Sequence, residues 1–150
     1  MPVIINSAEI HPFLPSLGTP LAIESARAEH QDIRPLEIAI INLMADKQTT
    51  ERQLALWLGN TSLQVKLTFA TTDSYFREVR NGRETKNTPV EHIRKFYSAW
   101  SEIKDRKFDG FIVTGVNALK ERVSDEDIWP EVQQILPWTA EPRTLNLQSA

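Results

Sequence analysis

Lys47 stands in "NLMADKQT", between an apolar run that reads as a buried strand and a stretch with helix-start chemistry. An ammonium at that junction can hold an anionic substrate, and the first turn of the following helix adds a favourable field of about 0.3–1 kcal/mol. From position alone, a solvated loop lysine is the commoner outcome. Thr114 and Gly115 close another apolar run, "FDGFIVTG". Glycine there lets a backbone or ligand come close, and exposed amides could serve an anion or oxyanion. A plain turn glycine explains the pair equally well. Asp73, in "TTDSYF", could orient a ligand, although such an aspartate more often caps a turn.

Other chemistries find little support. The chain has no cysteine, which removes disulfides, a thiolate nucleophile and cysteine metal sites from its own residues. His11, His30 and His92 lack metal-ligand spacing among themselves, so no metal site is expected. His92 follows Glu91 directly, and sequence neighbours do not share a helix face, so His92 reads as a helix-surface residue rather than a base. Neither a G-x-x-x-x-G-K-[ST] nor a G-x-G-x-x-G motif occurs. Arg77 to Lys107 holds nine basic and five acidic residues, but the net charge is −3 and the aromatics there read as core. Nucleic acid is therefore not an expected partner.

These residues need a frame. "LEIAIINL" (Leu36–Leu43) is apolar and rich in β-branched residues, as in a strand buried on both faces. Thr50-Glu51-Arg52-Gln53 has capping-box spacing, and Leu54, Trp57 and Leu58 supply a helical stripe. "LQVKLTFA" (Leu63–Ala70) alternates as a second strand. Thr71–Asn87 reads as a long, charged, mobile loop. Thr88-Pro89-Val90-Glu91 then starts a helix whose Ile93, Phe96, Tyr97, Trp100 and Ile103 share one face. Phe108–Gly115 is a third strand. Ser124-Asp125-Glu126-Asp127 opens a third helix lined by Ile128, Val132, Ile135 and Leu136, and "RTLNL" is a fourth strand.

Alternation of this kind predicts an α/β fold, a parallel sheet with helices on both faces, because parallel neighbours require crossover connections. Ligands in such sheets bind at the carboxyl ends of the strands, where Lys47, Asp73 and Thr114-Gly115 all fall. Residues 1–35 read as an N-terminal arm and residues 36–150 as the body. At 150 residues the chain suits one domain that buries roughly 68–70% of its unfolded surface. The hydrophobic share of 41% and charged share of 25% are globular values. No apolar run is long enough to span a membrane, and no signal-peptide pattern opens the chain, so a soluble cytoplasmic protein is expected.

Several stretches together resemble one family. "QDIRPLEIAIINLMADKQTTERQ" is similar to the Q-[DE]-I-R-P-L-x-[IV]-x-[IL]-[IL]-N-L-M-P-x-K-x-x-T-E-x-Q block of the homoserine O-acyltransferases, the succinyl- and acetyltransferases of methionine biosynthesis. "NTPVEHIRKFY" resembles that family's N-T-P-x-E-H-[IL]-x-x-F-Y, "KFDGFIVTG" its x-[FY]-D-G-[LF]-I-[IV]-T-G, and "WPEVQQIL" follows at the matching spacing. The likeness runs over about residues 20–147 and corresponds to the N-terminal half of the family's usual length.

The resemblance implies a fold like that of the class I glutamine amidotransferases, which is flavodoxin-like, here stopping after the fourth strand. It implies that an acyl group passes from succinyl-CoA or acetyl-CoA, as co-substrate, to a cysteine and then to the hydroxyl of homoserine, with a histidine–glutamate pair as base. No other cofactor is implied. "RTLNL" is similar to the strand that delivers the cysteine. The nucleophile and its base therefore belong to residues the chain lacks, and the expectation is no catalytic residue here and little activity alone. The alternatives are a non-catalytic α/β domain binding a small ligand or partner, or half of a split enzyme completed by another chain. A homodimer is a further possibility. Lys47 matches the family's lysine, and with Thr114 and Gly115 makes the expected substrate-binding set. Ala45 replaces the family's proline, and Val116-Asn117 replace alanine and proline. The position associated with acyl-donor preference, glycine or glutamate in the family, is Leu119 here. Leucine brings neither the room of the one nor the charge of the other.

Overall fold

A computed structural model describes residues 3–5, 22–24 and 34–141. Two short strands come first, β1 (Val3–Ile5) and β2 (Ala22–Glu24), followed by β3 (Leu36–Ile41), α1 (Lys47–Gly59) and β4 (Val65–Thr71). Then come α2 (Asp73–Arg80), α3 (Val90–Phe96), β5 (Tyr97–Ala99), α4 (Trp100–Ile103), β6 (Gly110–Val113) and, after a 3₁₀ turn at Val123–Asp125, α5 (Trp129–Ala140). The six strands form one sheet in the order β2-β1-β4-β3-β6, with β5 also paired to β4. Every pairing is parallel.

β3 lies at the centre of the body because its side chains are apolar on both faces. Ile40 packs with Ala55 of α1, Phe76 and Val79 of α2 and Ile93 of α3. Ala39 and Ile41 face the other way, onto Trp100 and Ile103 of α4 and Ile135 and Trp138 of α5. Helices therefore cover both faces of the sheet, as the alternating pattern predicts. Within the stretch read as an arm, the backbones of β1 and β2 extend the sheet beyond the first half of β4.

Four expectations change. First, α1 begins at Lys47, ahead of Thr50. Asp46 is its cap, with Oδ1 accepting from the Thr49 amide at 3.1 Å and Oδ2 from the Thr49 hydroxyl at 2.7 Å. The buried face of α1 is then Lys47, Glu51, Ala55 and Gly59, while Trp57 is 78% exposed. Second, the expected loop at 71–87 contains α2. Phe76 and Val79, three apart, reach the same core. The first amides of α2, Asp73 N and Ser74 N, donate to the Glu131 carboxylate at 2.6 and 3.1 Å. That cap comes from α5, far along the chain, so no local signal marks it.

Third, the expected helix across 90–103 breaks after Phe96, where Tyr97–Ala99 extend to pair with Phe69–Thr71 of β4. Ile93, Tyr97, Trp100 and Ile103 are nonetheless all buried. The apolar spacing reports burial correctly, and strand pairing overrides the helical period. Fourth, α5 starts at Trp129, and its inward residues are Ile135 and Trp138, while Leu136 is 45% exposed. The "RTLNL" strand lies outside the described residues.

Candidate functional site

The carboxyl ends of β3, β4 and β6 open into a cavity of about 510 Å³. Its wall includes Lys47, Thr72, Tyr75, Arg83, Asn117 and Leu119. This is the position expected for a ligand in an open parallel sheet.

Lys47 is not a solvated loop residue. It is the first residue of α1 and is 2% exposed, with its ammonium donating to the carbonyls of Asn42 at 2.8 Å and Met44 at 2.9 Å. Its Nζ lies 4.8 Å from the centre of the Tyr75 ring. Burial pulls its pKa down to about 8, partly countered by the charge of Glu51. Its backbone N–H donates to Thr88 Oγ1 at 3.0 Å, and the Thr88 hydroxyl in turn donates to Ala45 O at 2.8 Å. Thr88, read as a helix cap, instead ties the β3–α1 loop to the start of α3. Ala45, where the resemblance has proline, is held by that bond.

Thr114 and Gly115 stand at the end of β6. Thr114 N donates to Ile41 O at 3.0 Å, and its hydroxyl oxygen accepts from Leu43 N at 2.8 Å. Thr114 thus fixes the exit of β3, and neither Thr114 nor Gly115 lines the cavity itself. Nothing lies within 4 Å of where a Gly115 Cβ would stand, so glycine there answers no crowding. Leu119 lies on the cavity rim and is 91% exposed. Its backbone N–H and that of Lys120 donate to Glu126 Oε1 at 2.6 and 2.7 Å, which organises the loop. Asp73 caps rather than orients: its Oδ1 accepts from Ser101 N at 2.9 Å, in the first turn of α4.

The clearest correction concerns His92. It is 6% exposed, and its Nε2 lies 3.0 and 3.1 Å from the two oxygens of Glu51, itself 2% exposed. Tyr97 donates its hydroxyl to Glu51 and accepts from Asn42 Nδ2 at 2.9 Å. Burial, and then the Glu51 charge, push the Tyr97 phenol well above its ordinary range. A buried polar chain therefore runs His92–Glu51–Tyr97–Asn42, ending at the carbonyl that holds Lys47. Neither His92 nor Glu51 lines the cavity. Sequence reasoning missed Glu51, although it lies one helical turn after Lys47. Among the described residues no cluster of three or more potential metal ligands occurs.

With this geometry in hand, comparison with known proteins is decisive. The family model for homoserine O-succinyltransferase matches residues 9–149. The chain belongs to that family. Curated relatives include the homoserine O-acetyltransferase of Thermotoga petrophila, 50% identical over 113 residues, which is 75% of this chain and 34% of the relative. The homoserine O-acetyltransferase of Desulfitobacterium hafniense is 44% identical over 117 residues, covering 78% of this chain and 36% of its own. That of Allorhizobium ampelinum is 44% identical over 122 residues, 81% of this chain and 37% of its own. The chain spans about a third of the length of these relatives. Family membership bears out the resemblance read from the motifs, and the α/β sheet agrees with it.

Proposed function

We propose that the cavity at the ends of β3, β4 and β6 is one wall of an acyl-transfer site, where an acyl group moves from acyl-CoA to the hydroxyl of homoserine. The observation carrying this reading is Lys47, buried at the cavity wall of a homoserine O-succinyltransferase family member. Both substrates offer anions, the carboxylate of homoserine and the phosphates of CoA, and a desolvated ammonium attracts either more strongly than an exposed one. Lys47 is the anion anchor of the site. Thr114 sets the loop that carries it, and Leu119 borders the donor's acyl end.

Acyl transfer through an acyl-cysteine needs a thiol and a base. These 150 residues contain no cysteine. On this reading the nucleophile comes from outside them, in a longer polypeptide or a complementing chain, with the histidine–glutamate base that the family resemblance implies, and the chain alone turns nothing over. A cytoplasmic setting accompanies this reading. Among the described residues no helix is long and apolar enough to cross a membrane.

Calorimetric titration of the chain with homoserine, acetyl-CoA and succinyl-CoA tests the anchor. At least one should bind, and Lys47→Ala should weaken that binding about tenfold or more, the usual worth of a charge-assisted bond. Free CoA should appear only when the cysteine-bearing remainder of a relative is added. Release of CoA by the chain alone would refute the division of labour. Binding without rescue would favour the non-catalytic ligand-binding domain.

A further inference from the structure

Among the described residues, Lys47 is a buried cation with no salt bridge. Its ammonium donates to two backbone carbonyls and faces the rings of Tyr75 and Tyr97, and among the described residues no carboxylate lies within 4.0 Å of it. An ammonium has three donors, so two are spent inside the loop and one remains for the cavity that Lys47 lines. A cation this deeply buried needs compensating charge to stay protonated near neutral pH.

Glu51 is placed to supply it. It follows Lys47 at i+4 on the buried face of α1, and its carboxylate receives the Tyr97 hydroxyl and faces His92. The Gln48 amide nitrogen meets His92 Nδ1 at 3.3 Å. With the amide nitrogen on that side, Nδ1 must accept, which leaves Nε2–H to donate to Glu51. Two donors to one carboxylate favour its ionised form. The same Tyr97 oxygen accepts from Asn42, whose own carbonyl accepts from Lys47, so the carboxylate and the ammonium are joined through hydrogen bonds as well as through space.

We propose that Glu51, held ionised by Tyr97 and His92, is the buried counter-charge of Lys47, and that these three are positioning residues keeping its ammonium at the cavity wall as an anion anchor. The carboxylates that share the cavity wall do not fill this role: Glu78 pairs with Arg83, Glu126 accepts from the Leu119 and Lys120 amides, and Asp127 pairs with Lys120. Tyr75 of α2 presents its ring face, Tyr97 of β5 is a phenol whose burial keeps it protonated, and Arg83, which stacks over Tyr75 and pairs with Glu78, adds positive charge. The counter-charge is independent of acyl transfer and is tested on the chain as it stands, while the anchor role rests on the proposed function.

The titration of Lys47 can be followed by NMR of lysine labelled with ¹³C at Cε, assigned by loss of the signal in Lys47→Arg. Glu51→Gln keeps the shape and removes the charge. Its Lys47 midpoint should fall by about one pH unit, a tenfold loss of proton affinity. Glu51→Asp should recover most of that loss. If Glu51→Gln does not fold, Tyr97→Phe carries the test. It removes a donor from Glu51 and the acceptor that steadies Asn42, and both changes disfavour the ammonium, so the midpoint falls there too. A packing role alone would lower stability and leave the midpoint in place. An unmoved midpoint in a folded Glu51→Gln, or in a folded Tyr97→Phe where Glu51→Gln does not fold, overturns the proposal.

Discussion

At the scale of single residues, the buried charge of Lys47 leaves a mark on stability. Its pKa is 10.5 when free and about 8 in the fold, so between those values the unfolded chain binds a proton that the folded chain does not. Stability should therefore rise with pH across that window, by roughly 3 kcal/mol in all. The penalty is present in full below the folded pKa. Urea unfolding between about pH 7.5 and 9.5 should show this rise, and Lys47→Met should flatten it. Above the ordinary tyrosine range the buried Tyr97 phenol acts in the opposite sense, keeping a proton that the unfolded chain loses. A second test falls on Thr114, whose hydroxyl oxygen accepts the Leu43 amide. Thr114→Val keeps the shape and orphans that amide, and should cost about 1–3 kcal/mol in chemical denaturation.

At the scale of elements, the start of α2 depends on a distant partner. Its first amides rest on Glu131 of α5, and Val79, wholly buried, seals its inner face. Glu131→Ala should destabilise by about 1 kcal/mol, as loss of a cap does, and hydrogen exchange should quicken first in α2. α5 is fastened in turn by Trp138, which packs edge-on against Trp100 and Phe111 and donates Nε1–H to Lys104 O at 2.8 Å. Trp138→Ala should cost about 3–5 kcal/mol by thermal or urea unfolding, the largest effect named here. These elements also show where local reading fails. "TTDSYFREVR" is mostly charged and has no side-chain cap of its own, so it reads as loop, whereas the core under Phe76 and Val79 and the cap from α5 make it a helix. The interruption at Tyr97–Ala99 is similar: the helical spacing continues, yet the end of β4 offers ladder hydrogen bonds that the helix would forgo.

At the scale of the whole molecule, the sheet is a platform with helices on both faces and a cavity at the strand carboxyl ends. Trp57 stands 78% exposed on α1, away from the core that the stripe Leu54, Trp57 and Leu58 predicted for it. Trp57→Lys should leave the unfolding free energy within about 0.5 kcal/mol, as surface changes do. The α/β class, the central strand β3, the position of Lys47 just past the end of β3 and the family were all legible in the chain. Each rests on local signals: β-branched runs, alternation of strand and helix, and motifs continuous in sequence. The burial of Lys47, the pairing of Glu51 with His92 and the cap on α2 were not. Each joins residues far apart in the chain, and in sequence a buried glutamate or histidine looks the same as an exposed one. The sequence by itself determined the layers and the sheet edge at which the cavity opens. Only the tertiary structure decided which charges are taken out of water there, because desolvation depends on what packs around a group rather than on its neighbours in the chain.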